Sequence, residues 1–452
     1  MTSARALLGE LEHRMPHPTA KGLATAVSRA VRDGVLAPGE RLPPIREVAH
    51  QLGLSPSTVS AAWGLLSRAG ALRTEGRRGT VVADVTGPRQ GRYRQAVEPR
   101  SSAEIDLSTG VPDPELLPGL ERALAAVTTA GTPQSYLDDP VLPELADAVL
   151  RSWPYPPPAL TVVDGALDAV DLVLRTLVRY GDRVVVEHPS FPPLLDLLEA
   201  AGAEVVGVPL DEEGMRVDAL RATLDEPVRA VLLQPRAQNP TGASLTPGRA
   251  QALAAALAGT DCVVVEDDST SALCASPDVS LGHWLPDHTV HVRSYSKSHG
   301  PDLRLAVLSG PEQLVGEVQQ LRQLGQGWSS RLLQRVLASL LTDERSAAEV
   351  ARAAHEYASR RGRFVARLRE RGLDLPDGDG LNVWVPVRDE AAALVWLAAR
   401  GIGVAPGSPF AVLPDGAQHV RVTLGLLTDS VEVVADEVAA ASTAGGWGGR
   451  GR

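Results

Sequence analysis

The stretch TVHVRSYSKSHGPDLRLAVLS, residues 289–309, joins two apolar, β-branched runs through a polar turn that carries a lysine. Only two of the 44 Lys and Arg residues in the chain are lysines, Lys21 and Lys297. Arginine stays protonated in proteins, whereas a lysine amine can lose its proton and attack a carbonyl carbon. The stretch therefore suggests that position 297 needs an amine, beside the alternative of an ordinary surface lysine.

The segments around this stretch predict a mainly parallel β-sheet. Runs that favour strands alternate with runs that favour helices: strands at 183–187, 204–209, 229–233, 262–266, 289–292 and 304–309, and helices at 167–177, 194–201 and 247–258. Continuous β-branched runs between helices are typical of a parallel sheet buried on both faces. Because ligands bind such sheets at the carboxyl ends of the strands, we expect the functional residues in the loops that follow.

Chemically distinctive residues stand at these strand ends. They are Asp267 after CVVVE, Lys297 after TVHV, Asn239 in the Asn-Pro-Thr-Gly turn after RAVLL, Arg304 opening RLAVLS, and Gly165-Ala166 at the start of a helix. The free N–H groups of a helix start can hold a phosphate. Taken singly, these residues also fit a loop cap, a surface ion pair or a plain turn. Together they predict a site for a small anionic aldehyde cofactor.

The N-terminal part predicts three helices followed by a two-stranded hairpin. The inward-facing positions at helical spacing are Leu23, Val27, Ala30 and Val31, then Ile45, Val48, Ala49 and Leu52, then Val59, Ala62, Trp63 and Leu66. Ser55 is the expected N-cap of the third helix, and residues 71–74 and 79–82 are the expected strands. Residues 1–100 include 15 basic and 8 acidic residues, whereas the rest of the chain includes 29 basic and 47 acidic residues. This asymmetry favours nucleic acid as a partner of the basic part, against the alternative of a plain packing domain.

The pattern GxLxPGxRLPxxRxxAxxLGxSxxTVxxAxxxLxxxGxLxxxxxxGTxV over residues 34–82 resembles the winged helix-turn-helix domain of the GntR regulators. The resemblance implies an α+β domain that binds a double-stranded DNA operator. It assigns DNA contacts to Arg46, Ser57 and Thr58 on the second and third helices, and to Arg77 and Arg78 in the turn of the hairpin. Phosphate contacts of this kind make binding salt-dependent.

Residues 104–430 resemble an α/β fold-type I aminotransferase dependent on pyridoxal 5'-phosphate (PLP), and the whole chain resembles the MocR subfamily of GntR regulators. By this resemblance Lys297 of SYSK forms the Schiff base, Arg304 binds the phosphate, Asp267 pairs with the pyridine nitrogen and Asn239 donates to the ring oxygen. Further implied residues are Phe191 against the ring, Gly165, Ala166, Ser294 and Ser296 around the cofactor, Tyr136 reaching a neighbouring subunit's phosphate, and Arg421 for the carboxylate of a substrate or effector.

The chain departs from the family pattern beside the expected ring. Ser269 in EDDS stands where the family usually has tyrosine, and serine is too short to reach the ring oxygen in the same way. Phe191 replaces a common tyrosine, and Pro193 stands where some relatives have a second carboxylate-binding arginine. The lysine, the aspartate and the phosphate ligands remain, so these departures concern transamination and the choice of amino compound rather than cofactor binding.

The expected organisation is a winged helix-turn-helix domain over residues 1–83, a flexible linker over 84–103, an aminotransferase-like domain over 104–442 and a disordered tail over 443–452. We expect a cytoplasmic protein, because no apolar run reaches 18 residues and Cys262 and Cys274 have no metal-binding or disulfide spacing. The family resemblance implies a homodimer. The main hypothesis is a regulator that senses PLP or an amino compound. The alternatives are an active aminotransferase carrying a DNA-binding domain, and a body that serves only as a dimerisation scaffold.

Overall fold

The computed structural model describes residues 4–15, 17–32, 35–37, 39–68, 72–74, 79–82, 91–97, 103–127, 135, 137–414 and 416–445. The chain divides into two compact units, Met1–Gln90 and Gly91–Arg452. Each unit has its own buried apolar core. No helix in the described parts is both long enough and apolar enough to cross a membrane.

The first unit contains helices followed by a hairpin: α1 Ala4–Arg14, α2 Ala20–Arg32, α3 Ile45–Gln51, α4 Pro56–Arg68, β1 Leu72–Thr74 and β2 Thr80–Val82. The two strands are antiparallel, with Leu72 opposite Val82. Apolar positions that helical spacing placed inward in α2, α3 and α4 are buried in one cluster, so the three predicted helices are confirmed. Ser55 accepts a hydrogen bond from the Thr58 N–H at 3.0 Å, which confirms the predicted N-cap.

Helix α1 was not expected from the sequence. Among the side chains of this helix whose burial is described, Leu8 and Leu11 are buried, at the i, i+3 spacing of one helix face. Both side chains pack into the same cluster as α2, α3 and α4. The helix therefore depends on that packing.

The second unit is built on an eight-stranded sheet, here called the large sheet. Its strands are β4 Ala159–Val163, β5 Arg183–His188, β6 Glu204–Asp211, β7 Gly214–Met215, β8 Ala230–Leu233, β9 Val263–Asp268, β10 Thr289–Ser294 and β11 Ala306–Gly310. Their spatial order is β4-β11-β10-β9-β8-β5-β6-β7. The pairs β10–β9, β9–β8, β8–β5 and β5–β6 are parallel, whereas β11 and β7 are antiparallel to their neighbours. The prediction of a mainly parallel sheet is confirmed.

Helices cover both faces of the large sheet. The helices of this unit are α5 Arg92–Val97, α6 Glu121–Ala126, α7 Pro143–Leu150, α8 Ala166–Leu177, α9 Pro192–Ala201, α10 Val217–Thr223, α11 Pro247–Leu257, α12 Glu312–Gln323, α13 Arg331–Thr342, α14 Glu344–Glu370, α15 Glu390–Ala398 and α16 Val431–Ser442. One face packs against α8, α9 and α12, and the other against α10 and α11. The apolar residues of β5, β8 and β9 are buried because both faces are covered.

A smaller sheet forms the second layer of this unit. Its strands are β3 Ile105–Leu107, β12 Asn382–Pro386, β13 Ile402–Pro406 and β14 His419–Thr423, in the order β12-β14-β13-β3. It packs against α14, α15 and α16 through a core that includes Phe364, Leu368, Val383 and Val422. This sheet places Arg421, in β14, next to the loops of the large sheet.

The structure differs from the expected flexible linker over 84–103. Residues from Gly91 belong to the second unit, and Arg92–Val97 form helix α5. The Asp196 carboxylate accepts the backbone N–H groups of Arg92 and Tyr93 at 2.9 Å, and Ala96 is buried against Ala405 and Phe410. These contacts are long-range in sequence, which composition alone does not reveal. Residues 84–90 and 98–102 of the expected linker, and 446–452 of the expected tail, lie outside the described residues.

Candidate functional site

The register of the large sheet brings the predicted strand ends to one edge. Val163 pairs with Ala306, Ala306 pairs with Ser294, and Val292 pairs with Asp267 in the next strand. Strand β11 runs antiparallel, so its beginning lies at the edge where β4, β10 and β9 end. The loops that carry the chemically distinctive residues therefore start side by side.

Lys297 lies in the turn 296–299 that follows β10 and is half-buried. Within the described residues its amine has no hydrogen bond or ion pair. Burial lowers the pKa of Lys297 below its usual value, while the charge of Asp267 acts in the opposite sense. The lysine therefore carries an amine that is closer to its neutral, nucleophilic form than a surface lysine is.

Asp267 is 3 % exposed and lies in β9, whereas the sequence had placed it just past the strand. The Gln234 side chain donates to its Oδ2 at 2.8 Å, and the Ser269 hydroxyl donates to its Oδ1. Burial raises the pKa of Asp267, while the Ser269 hydrogen bond and the Lys297 charge favour the ionised form. A buried carboxylate of this kind is suited to a cationic ring nitrogen.

Gln234 is a site residue that the sequence analysis missed. Its Oε1 accepts the backbone N–H of Asn239 at 2.8 Å, while its Nε2 holds Asp267. The backbone N–H of Gln234 in turn donates to Glu187 Oε2 at 3.0 Å. One amide side chain thus connects two of the predicted cofactor ligands. A polar residue directly after the strand run RAVLL was the available signal, but its partners depend on the sheet register.

Arg421 is buried, at 2 % exposure, and lies beside Asn239. Its Nη1 donates to Asn239 Oδ1 at 3.3 Å, and its Nη2 donates to the Ser108 carbonyl. Its Nε is buried and, among the described residues, has no partner. Burial lowers the pKa of Arg421 to about 10. A carboxylate ligand would offset this burial, since buried charges are stable when they are paired.

Gly165, Ala166 and Arg304 lie together at the start of α8. Gly165 has φ of 117°, and a Cβ there would lie 3.0 Å from Arg304 Nη2. Arg304 is exposed and donates to the Asp164 carbonyl at 3.1 Å. It precedes β11, which begins at Ala306, rather than opening that strand as expected. A guanidinium beside a helix N-terminus with no Cβ in the way is a suitable cradle for a phosphate.

The remaining predicted cofactor residues are placed as follows. Phe191 is the N-cap of α9, is half-buried and packs against the core of the large sheet. Ser294 is buried at the end of β10, and its Oγ accepts the Ser296 N–H at 3.3 Å. Tyr136 lies outside the described residues. The roles of these side chains stay predictions.

The first unit presents part of the predicted DNA surface. Arg46 in α3 and Ser57 in α4 are exposed, and Thr58 is half-buried. The Ser55 hydroxyl lies 2.7 Å from Ser57 Oγ and 2.8 Å from Thr58 Oγ1, so these hydroxyls cluster at the start of α4. Arg77 and Arg78 lie outside the described residues.

Comparisons with known proteins match both units. Residues 19–82 match the family of bacterial regulatory proteins, gntR family, and residues 102–438 match aminotransferase class I and II. The vitamin B6 salvage pathway transcriptional repressor PtsJ of Salmonella typhimurium is 34% identical over 91% of this chain and 95% of its own. The pyridoxine biosynthesis transcriptional regulator PdxR of Corynebacterium glutamicum is 30% identical over 71% of this chain and 72% of its own.

Solved structures match the second unit in fold. The multiple substrate aminotransferase of Thermococcus profundus has a TM-score of 0.72 at 20% identity and covers 79% of this chain and 95% of its own. The kynurenine aminotransferase of Pyrococcus horikoshii has a TM-score of 0.69 at 21% identity, and the match covers 76% of this chain and 93% of its own. At this identity the likeness concerns the fold alone.

A GntR-type winged helix joined to a fold-type I aminotransferase domain defines a class of two-domain regulators. The chain belongs to the MocR subfamily of GntR regulators. PLP is the cofactor that this aminotransferase fold implies. The described residues fit it. At one edge of the large sheet lie the Lys297 amine, which has no hydrogen bond or ion pair among them, the buried Asp267 carboxylate, and Gly165 beside Arg304.

Proposed function

We propose that this protein is a DNA-binding transcription regulator whose aminotransferase-like domain binds PLP and senses PLP or an amino compound. The observation that carries the proposal is the half-buried Lys297 beside Asp267, in a chain that also has a winged helix. Such a regulator acts in the cytoplasm, with the DNA. Similarity to regulators named for vitamin B6 salvage and pyridoxine biosynthesis supports a B6 compound as the effector.

In this proposal each chain group has a definite task. Lys297 supplies the amine that holds the cofactor covalently, Asp267 faces the ring nitrogen, Asn239 faces the ring oxygen and Phe191 contacts the ring. Gly165, Ala166 and Arg304 bind the phosphate, with Ser294 and Ser296 close by. When bound, PLP supplies an aldehyde and an electron-withdrawing ring. The Lys297 amine, whose pKa is lowered by burial, and the buried Asp267 carboxylate are the groups that this chemistry requires.

Effector recognition is assigned to Arg421. Its buried Nε has no partner in the described part of the chain, so a carboxylate from an amino compound gains a desolvated, charge-assisted contact there. A carboxylate that displaces Ser108 or Asn239 from this guanidinium also moves two loops. A ligand-driven switch needs such a difference in contacts between two states.

On the DNA side, Arg46 in α3 and Ser57 and Thr58 in α4 contact the operator. Arg77 and Arg78 contact it from the hairpin turn. We further propose a homodimer, in which Tyr136 reaches the partner's phosphate site. A two-fold dimer presents two winged helices to a two-fold operator, which is the usual arrangement for helix-turn-helix regulators.

The test is an absorbance spectrum of the purified full chain and of Lys297→Ala, each incubated with PLP and freed of excess cofactor. We expect a visible band of lysine-bound PLP in the wild type alone. Titration with amino acids or other amines should then shift or remove the band for one chemical class. The absence of a band from both proteins would contradict PLP binding and leave a DNA-binding dimer on an inactive scaffold.

Regulation needs its own measurement, which is operator affinity with and without PLP. We expect the affinity of the wild type to change when PLP is added and the affinity of Lys297→Ala to change less. Equal affinity under all conditions, with every amine tried, would contradict the sensing role.

An active aminotransferase is the second candidate function. The buried Arg421 favours it, because this guanidinium can bind the carboxylate of an amino acid substrate. A transamination assay with an amino acid and a keto acid, monitored through the keto acid product, distinguishes the regulator from the enzyme. Repeated turnover would make the protein an enzyme, whereas spectral change without turnover supports a sensor.

A further inference from the structure

A cavity of about 440 Å³ is lined by Arg361 of α14 and not by Lys297. Its walls include Gly242 and Ser244 of the loop after β8, Ser276, and Gly378 and Asp379 before β12. None of these residues is among the predicted cofactor ligands. The cavity therefore requires an explanation of its own.

Arg361 is 6 % exposed but has only one hydrogen-bond partner among the described residues, the carbonyl oxygen of Asn382, which its Nη1 contacts. Neither its Nε nor its Nη2 donates to any described group. No carboxylate of the described chain lies within ion-pair distance of it. A buried guanidinium normally pairs with a carboxylate or a full set of acceptors, because an unpaired buried charge is strongly destabilising.

Three acidic residues line this cavity, Glu212, Asp377 and Asp379, and the two that act on the charge of Arg361 already have other partners. Asp379 accepts the Ser276 N–H at 2.7 Å and the Gly380 N–H at 2.8 Å. Asp377 is paired with Arg369 at 2.8 Å. Burial accordingly lowers the pKa of Arg361 to about 10, with only a partial opposing effect from Asp379 and Asp377. Within the described parts of the chain, the positive charge of Arg361 is not balanced by an ion pair.

Two glycines make room for the guanidinium. A Cβ at Gly242 would lie 2.7 Å from Arg361 Nη2, and a Cβ at Gly378 would lie 2.3 Å from the same atom. A side chain at either position would therefore collide with the guanidinium. The Nε–Nη2 edge of arginine presents two parallel N–H donors, a geometry that matches the two oxygens of a carboxylate or phosphate.

We propose that this cavity binds a small oxyanion, a carboxylate or a phosphate, through the Nε–Nη2 edge of Arg361. The site is separate from the phosphate cradle at α8. Gly242 ends the Asn239-Pro240-Thr241-Gly242 turn, so the bound anion contacts the loop that also carries Asn239. The cavity has room for an organic acid of metabolite size as well as for a free phosphate ion.

The test is isothermal titration calorimetry of the full chain, saturated with PLP, against inorganic phosphate and, separately, against acetate. Saturation with PLP keeps the phosphate cradle at α8 occupied. We expect binding of at least one of the two anions to weaken by about tenfold or more in Arg361→Gln, as the loss of a charge-assisted pair predicts. The matched control is Arg352→Gln, an exposed arginine on the same helix, which should leave the affinity unchanged.

Ala358→Glu gives an independent test that keeps Arg361 in place. Ala358 is exposed, lines the same cavity and lies three residues before Arg361, so a glutamate there can supply an internal carboxylate. We expect Ala358→Glu to suppress anion binding and Ala358→Gln to retain it, with thermal unfolding unchanged in both. The proposal is overturned if neither anion binds the wild type, or if Arg361→Gln and Ala358→Glu, both folded, bind as the wild type does.

Discussion

Position 297 carries one of the two lysines of the chain, and its burial gives a physical reason for lysine rather than arginine there. A half-buried guanidinium would stay charged, whereas burial lowers the pKa of the Lys297 amine towards neutrality. Asp267, itself buried, keeps an opposing charge nearby. In the proposed function, this pair supplies an amine for a carbonyl group and a carboxylate for a cationic ring.

Gln234 should matter for cofactor affinity although it is not a predicted ligand. Gln234→Leu removes the donor to Asp267 and the acceptor for the Asn239 N–H. We expect PLP to bind about tenfold to a hundredfold more weakly, since hydrogen bonds to charged groups contribute about 1.5–3 kcal/mol. Absorbance titration measures this, with Gln251→Leu, an exposed position on α11, as the control. Equal affinities in the two variants would contradict the role of Gln234.

Gly165→Ala should impair the phosphate cradle. Its φ of 117° is a conformation that alanine adopts at a cost of order 1–3 kcal/mol, and the new Cβ would press on Arg304. We expect lower stability and weaker PLP binding. Gly259→Ala, also at positive φ but with open space around it, should lower stability without changing PLP affinity. If both variants bind PLP like the wild type, the cradle lies elsewhere.

Glu187 should make stability depend on pH. Burial raises its pKa to about 8, against an unfolded value near 4.5. The folded chain therefore holds this proton over a pH range in which the unfolded chain has lost it, and unfolding free energy falls as pH rises from about 4.5 to about 8. The loss is on the order of a few kcal/mol. Denaturant unfolding of the PLP-free full chain and of Glu187→Gln, between pH 5 and 8.5, should show a flatter dependence in the variant. If the unfolding free energy depends on pH in the same way in both proteins, the dependence comes from groups other than Glu187.

At the scale of helices and strands, the sequence was informative where contacts are local. Apolar periodicity located α2, α3 and α4, and the β-branched runs located β5, β8, β9 and β10. It failed where distant residues decide the structure. Helix α5 depends on Asp196, and β3 pairs with β13 almost 300 residues later. Gln234 was missed for the same reason, because its contacts cross from β8 to β9.

Helices α3 and α4 carry the DNA prediction at this scale. Arg46 on α3 is exposed, so Arg46→Ala removes a cation without a packing change. We expect operator affinity to fall about tenfold and the slope of log affinity against log salt to decrease by about 1. Fluorescence anisotropy at several salt concentrations measures both. Arg352→Ala in the second unit is the control, and an effect as large there would indicate nonspecific electrostatics.

At the scale of the whole molecule, the chain combines a basic unit and an acidic unit with separate cores. All described residues predicted to hold PLP belong to the second unit, and those predicted to hold DNA belong to the first. Each ligand therefore stabilises its own unit directly. Any effect on the other unit measures the coupling that a regulator needs.

Calorimetric unfolding of the full chain tests this division. We expect two transitions, because each unit buries its own core. PLP at a hundredfold its Kd should stabilise the second unit by about 2.7 kcal/mol, since it binds the folded form alone. Operator DNA should raise the unfolding temperature of the first unit. Adding PLP should change the size of this increase in the wild type more than in Lys297→Ala. A PLP effect confined to the second unit, with DNA stabilisation unaltered, would separate cofactor binding from regulation and favour the enzyme.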